Sequence, residues 1–475
     1  MMRCVVGIGV VLALAGVAGA EQQGKLGSKK TAWDAPETPR DAVMKFGDDY
    51  IDFISANKTE RAFIAASVAL AEHHGFRAFP GAPRGKTKPG DRFYVQRHGK
   101  ILALIVIGSR RLLDGVRIVG AHIDAVRIDL KQNPLYEDGN LALLETHYYG
   151  GIKKYQWLSL PLALHGVVLT KDGRRVDVKI GDDPKDPVLV IPDILKHLHD
   201  HAKSIAGENV RGEALDPIVG SIPDGAAKSA RFKGTVQRLL RDKYGIEERD
   251  FRTAELSLVP AYRARSVGLD GGLVGGYGQD DRACGYVALR AALAVAKPVH
   301  TAVTLLVDKE GIGSSGNTGT QSNFLQGVVG ALLEAELGPG RATEQRLRDL
   351  FQKSKALSTD VTSAVQPHYA KLWDKKNANY LGSGPTWDQS GVHSEFMLFV
   401  RQLLERNKIP YQTGDFARVF GGRHEGGTIL PFLTRLGLDA MNFSIPLISM
   451  HAPFELTSKV DLYWSYRAYA AFLSE

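Results

Sequence analysis

The sequence predicts an α/β protein whose helix-and-strand domain is interrupted by a β-rich insertion, and three observations carry that reading. Apolar residues recur at three- and four-residue intervals from about Asp41 to His73 and again from Cys284 to Ala296, the period of helices with one buried face. The runs Val116 to Gly120 and Ala302 to Val307 are short, apolar and β-prone, as buried strands are. Between about Val126 and Arg252 the texture changes to short β-like runs separated by turn signals, and alternation of helix and strand resumes near Glu255.

At 475 residues the chain is too long for one compact core, which also points to more than one domain. Residues 1–20 have the pattern of a signal peptide. Met1-Met2-Arg3 supplies positive charge, Val5 to Val17 is apolar, and Ala18-Gly19-Ala20 supplies the small residues that signal peptidase needs. The apolar run is short for a membrane span. The expectation is cleavage after about Ala20, no stable membrane span afterwards, and a periplasmic or secreted protein; an uncleaved anchor is the alternative. Residues 21–40, polar and proline-containing, read as a linker or arm. The catalytic domain then divides into 41–125 and 253–475, around an insertion at 126–252.

Phe93-Tyr94-Val95 and Ile101 to Ile107 read as strands paired across the turn Arg97-His98-Gly99-Lys100. Within the insertion, Leu141 to Tyr148, Leu164 to Thr170 and Val176 to Ile180 read as strands, with a helix near Ile194 to Ser204. Composition is that of a folded protein, 44% hydrophobic and 24% charged. The formal charge of +8 is carried by scattered residues with no basic block, which argues against nucleic acid as partner. Cys4 lies in the signal segment, so a mature chain keeps only Cys284 and has no internal disulfide.

Five short stretches carry chemistry. His122, just past a buried strand, is followed two residues on by Asp124, the spacing at which a carboxylate orients an imidazole towards a metal. Asp280-Asp281 precedes a helix. Asp308-Lys309-Glu310 follows an apolar strand, at the sheet edge where open α/β sheets bind ligands. Asp360 and His451 lie in or after apolar runs. Each has a plain structural reading too: a hydrogen-bonded strand-end histidine, an N-cap acid, a solvated turn glutamate. Together they form a nitrogen-and-oxygen set suited to zinc or a similar ion.

With these motifs, Ala121-His122-Ile123-Asp124, Asp280-Asp281, Asp308-Lys309-Glu310 with Ile312-Gly313-Ser314, Ser358-Thr359-Asp360-Val361 and Ser449-Met450-His451, the chain resembles the aspartyl-aminopeptidase family of zinc metallopeptidases. Tyr149-Gly150-Gly151 resembles the glycine-rich segment of that family's insertion. The resemblance implies a mixed sheet sandwiched by helices, a dimerisation insertion, and hydrolysis of the N-terminal residue of peptides by metal-activated water. It implies that His122 and Asp360 ligate one metal, that Asp280 bridges two, and that His451 ligates the second. Asp124 would orient His122, and Asp281 would follow Asp280 through a cis peptide. Glu310 would be the general base. His197, in Ile191 to His197, would steady the oxyanion in a neighbouring subunit, and the chain would associate into dimers and an assembly of twelve chains. One or two Zn2+ per subunit are implied, with cobalt or manganese as substitutes.

One position departs from the family pattern. Two consecutive glutamates are usual, the second binding the His451 metal, and this chain has Glu310-Gly311. The departure leaves three outcomes: catalysis on one tight metal, replacement by another carboxylate such as Asp308, Glu425 or Glu455, or a degenerate homologue that binds peptides or serves assembly. The base and four ligands that remain favour an active enzyme, since four ligands suffice for a metal site.

Overall fold

The computed structural model describes residues 30–79, 87–199, 201, 209–389, 392–414 and 428–475. Residues 1–20, read above as a signal peptide, and Glu425 lie outside the described residues. Two sheets organise the chain. The larger is 13-stranded and mixed, and at its centre the strands Thr301–Val307, Val116–His122, Lys355–Ser358 and Asp439–Ile448 run side by side and parallel.

These strands are mostly apolar because helices cover both faces. Along Ile101–Val106, which is antiparallel to Thr301–Val307, the side chains alternate between two cores. Leu102, Leu104 and Val106 join one core with Val287 and Leu462 from the helices Gln279–Ala294 and Lys459–Ser474. Ile101, Ala103 and Ile105 join the other with Phe324 and Leu350, from Phe324–Leu337 and Glu344–Gln352. The period of two puts successive residues on opposite faces, so a strand buried on both sides has no polar alternate.

The second sheet is six-stranded and antiparallel, in the order Arg175–Ile180, Leu162–Leu169, Ala254–Pro260, Arg127–Asp138, Leu141–Tyr149, Ile218–Gly220. Its strand Ala254–Pro260 lies beyond the 126–252 insertion read from sequence. It pairs along its length with Leu162–Leu169, from Ala254 opposite Val168 to Pro260 opposite Leu162. The insertion also carries a helix, Arg231–Tyr244, whose Val236 packs with Ala142 and Leu144.

The periodic stretch 41–73 is two helices, Arg40–Ala56 and Glu60–His73. Thr59 divides them as an N-cap, its side chain accepting from the Ala62 N–H at 3.3 Å. No helix among the described residues is long and apolar enough to cross a membrane.

Helix Lys459–Ser474 buries Asp461, which accepts the backbone N–H groups of Gly382 and Gly384, both at 2.7 Å. Burial pushes its carboxyl up to about 8. The folded pKa exceeds the unfolded one, so the stability contributed by this group is complete below about pH 4 and is lost as pH rises through about 8. The urea midpoint of the wild type therefore falls relative to Asp461→Asn across that window. An offset that does not change with pH would contradict the assignment.

Candidate metal centre and active site

Because the four central strands are parallel, their C-terminal ends form one edge, and the polar residues that follow them meet there. Val307 pairs with His122, and Ser358 pairs with both Gly120 and Asn442. Backbone bonds fasten the ends: the Ile123 N–H to the Val307 carbonyl at 2.9 Å, and the Thr359 N–H to that of Gly120 at 2.7 Å. His122, Glu310, Asp360 and His451 thus come to one cleft from four separate segments. Asp280 joins them from the first turn of Gln279–Ala294, and the Asp280–Asp281 bond is cis.

His122 Nε2 lies 3.4 Å from Asp280 Oδ1, 3.7 Å from Asp360 Oδ1 and 3.8 Å from Glu310 Oε2. Its Nδ1 faces Asp124, 3.1 Å from the carbonyl and 3.3 Å from Oδ1. With Nδ1–H donating to Asp124, the Nε2 lone pair points at the carboxylates, the tautomer that a metal ligand needs. His451 repeats the arrangement. Its Nδ1 is 2.8 Å from the Gly151 carbonyl, and its Nε2 is 2.9 Å from Asp280 Oδ2. Each oxygen of Asp280 therefore faces a different histidine, as a bridging carboxylate does.

Further hydrogen bonds hold these residues in place. Glu455 accepts the backbone N–H groups of Gln279 at 2.6 Å, His451 at 2.7 Å and Asp280 at 3.2 Å, so it ties the Asp280 turn to the His451 loop. Asp124 accepts from the N–H groups of Glu310 and Gly311, both at 3.1 Å, and from the Tyr149 hydroxyl at 2.7 Å. The Arg127 guanidinium stacks over the Tyr149 ring, 3.9 Å from its centroid. Gly150, at φ 74°, makes the turn after Tyr149 in the left-handed region, and a Cβ there would come within 2.8 Å of Val126 Cγ1. Tyr149-Gly150-Gly151 was the visible signal for this corner; Arg127 had none, and Glu455 was read as a substitute ligand, whereas it holds backbone N–H groups instead. The cleft, about 420 Å³, is further lined by Pro431, Phe432 and Met450.

Electrostatics match the crowding of acids. Burial opposes charge on His122, yet Asp124 and Asp280 outweigh it and raise its pKa well above the ordinary value. Asp280 holds the His451 pKa up at about 9. Burial raises the Asp360 and Glu310 carboxyls above their usual range. Acids gathered this closely around imidazoles make a site that a divalent cation neutralises.

The donor set suits zinc. Among the described residues, His122, Asp280 and Asp360 each offer a ligand atom, all within 4.8 Å of one another. Three protein donors with a position left open is the composition of a catalytic zinc site. Among the described residues, Asp280 is the one carboxylate paired with the His451 ring. Two of the carboxylates considered as substitutes for the missing ligand are committed elsewhere. Asp308 bonds Thr318 Oγ1 at 3.0 Å and the Lys309 N–H at 2.8 Å, and Glu455 holds the three backbone groups above. His197, on the short helix Lys196–His199, is exposed and does not line the cleft of its own chain.

Tyr149→Phe removes one of the bonds that fix Asp124 and so His122. Zinc affinity is expected to fall by about 10–100-fold, the usual cost of losing an outer hydrogen-bond partner. Competition with a chromophoric chelator measures it, and an unchanged Kd would contradict this role.

A cluster of imidazole and carboxylate donors at the C-terminal edge of parallel strands, with the Glu310 carboxylate beside it, is the arrangement of a metallohydrolase. Residues 53–473 match the family model described as aminopeptidase I zinc metalloprotease (M18). The protein named "Probable M18 family aminopeptidase 1" from Clostridium acetobutylicum is 41% identical over 461 residues, covering 94% of this chain and 98% of its own. The crystal structure of the M18-family aminopeptidase from Thermotoga maritima superposes with a TM-score of 0.87 at 36% identity, covering 94% of this chain and all (100%) of that one. The S. cerevisiae mApe1 dodecamer structure, 21% identical, shares the fold with a TM-score of 0.74 over 91% of this chain and 97% of its own. The chain belongs to the M18 family and is a metal-dependent aminopeptidase. These likenesses lend no support to the degenerate alternative.

Proposed function

We propose that His122, Asp280 and Asp360 hold a zinc ion and that Glu310 acts as general base in removing the N-terminal residue of peptides. The observation that carries this is the Glu310 carboxylate, 3.8 Å from His122 Nε2 and left outside the set of three donors. Bound there, a zinc ion supplies Lewis acidity, polarising the scissile carbonyl and acidifying water; cobalt or manganese suit the same donors. Glu310 takes the proton of the attacking water and returns it to the leaving amine. Burial raises its pKa, which suits a group that must both accept and release a proton. Asp124 keeps His122 aimed, and the Glu310 and Gly311 N–H groups bonded to Asp124 keep the base beside it. The acidic groups of the cleft attract the free α-ammonium of a peptide, which makes the reaction exopeptidic.

The exposed position of His197 fits a role in a partner's cleft, where it would hydrogen-bond the developing oxyanion. That role requires self-association into dimers and larger assemblies, in keeping with the dodecamer of S. cerevisiae mApe1. The pattern of residues 1–20 supports export to the periplasm or beyond. Cell fractionation tests that directly, and unprocessed protein in the cytoplasm would refute it. The exopeptidase reading is tested with paired peptides, free and N-acetylated. Release of the first residue from the free peptide alone is expected, and equal cleavage of both would refute it.

A further inference from the structure

We infer that each chain holds a single tight divalent ion, at His122, Asp280 and Asp360, and that Gly311 is what withholds a second one beside His451. The inference rests on the metal-binding half of the proposed function, not on its chemistry. His451 is prepared as a ligand, with its Nδ1 committed to the Gly151 carbonyl and its Nε2 aimed at Asp280 Oδ2. Yet among the described residues an ion placed there would have only that imidazole and a carboxylate already shared with the first ion. Protein zinc sites draw on three or four protein donors, so two leave the ion largely to water and easily lost.

Among the described residues the other carboxylates nearby do not make up the number. Glu455 is spent on the N–H groups of Gln279, Asp280 and His451, and those bonds are what hold the two donors in place. Asp124 is spent on His122, Tyr149 and the turn at 310–311. Glu310 is left to its role beside the first ion, and Gly311, which also lines the cleft, offers no side chain. A Cβ on Gly311 would lie 3.2 Å from Tyr149 Cε1 and 3.4 Å from Asp124 Oδ2. The Tyr149 ring, under the Arg127 guanidinium, occupies the space against which a longer residue would start. Those contacts are tight but not closed, so a glutamate enters at the cost of a few tenths of an ångström of ring movement.

The test is zinc stoichiometry, without substrate, on full-length protein loaded with zinc and dialysed against a weak chelator, then read by elemental analysis. About one ion per chain is expected for the wild type and for His451→Ala, and none for His122→Ala. Gly311→Glu is expected to approach two, with circular dichroism and chelator competition at the first site reporting its fold. Two ions in the wild type, or loss of the single ion in His451→Ala, would overturn the inference. A folded Gly311→Glu that stays at one would overturn the assignment of the deficit to Gly311. Because no turnover is read, these outcomes are separate from failure of the peptidase reading.

Discussion

Glu310→Gln is expected to lower kcat by about 10²–10⁴-fold, the usual contribution of a positioned general base, while zinc content stays unchanged. The amide keeps the size and the backbone bonds to Asp124, since the N–H groups of residues 310 and 311 make those, so the geometry of His122 persists. What is lost is a carboxylate that can take a proton from water. The three zinc donors are untouched, which separates this variant from one that merely loses metal. A fall in zinc content alongside activity would instead make Glu310 a ligand. Activity near the wild-type level would remove it from the mechanism.

Asp280→Ala is expected to have the largest effect on the metal. Its Oδ1 faces His122 and its Oδ2 faces His451, so one substitution removes a donor and the negative charge between two imidazoles. Loss of zinc affinity should exceed the roughly 100-fold that removal of an outer partner can cost, because a direct ligand goes and only two of three remain. Turnover should vanish at ordinary zinc concentrations and return in part when zinc is raised. The readout is the zinc dependence of rate, and wild-type affinity in Asp280→Ala would contradict the assigned cluster.

Much of this site was legible in the sequence for one physical reason. Parallel strands end at a common edge, so an acid or a histidine placed directly after an apolar run, as in His122-Ile123-Asp124 or Asp308-Lys309-Glu310, is delivered there by the fold. Asp280 was legible as an acid before a helix, although its two-sided position between His122 and His451 is tertiary. Glu455 could not be read as a clamp, because its partners Gln279 and Asp280 lie 176 and 175 residues away. Arg127 over Tyr149 was equally silent, since strand register across the insertion sets that stack, with Arg127 opposite Tyr149.

In the fold, the strands around Val116 and Thr301 were plain from apolar runs. The edge of the insertion was not. Ala254–Pro260 is a strand by local pattern, and only its pairing with Leu162–Leu169 puts it in the second sheet. Helix Arg231–Tyr244 was overlooked because its one buried residue, Val236, gives little periodic signal among charged neighbours. Over 41–73 the helical spacing was plain, but it runs through the break that Thr59 caps and so did not mark where one helix ends and the next begins.

The most direct test of the central claim is aminopeptidase turnover of the mature protein, stripped with a chelator and then given zinc, with Glu310→Gln in parallel. The account predicts no turnover in the stripped protein, recovery with zinc in the wild type, and recovery of zinc content without turnover in the variant. Absence of turnover in zinc-loaded, folded and assembled wild type across peptides with different N-terminal residues would contradict it.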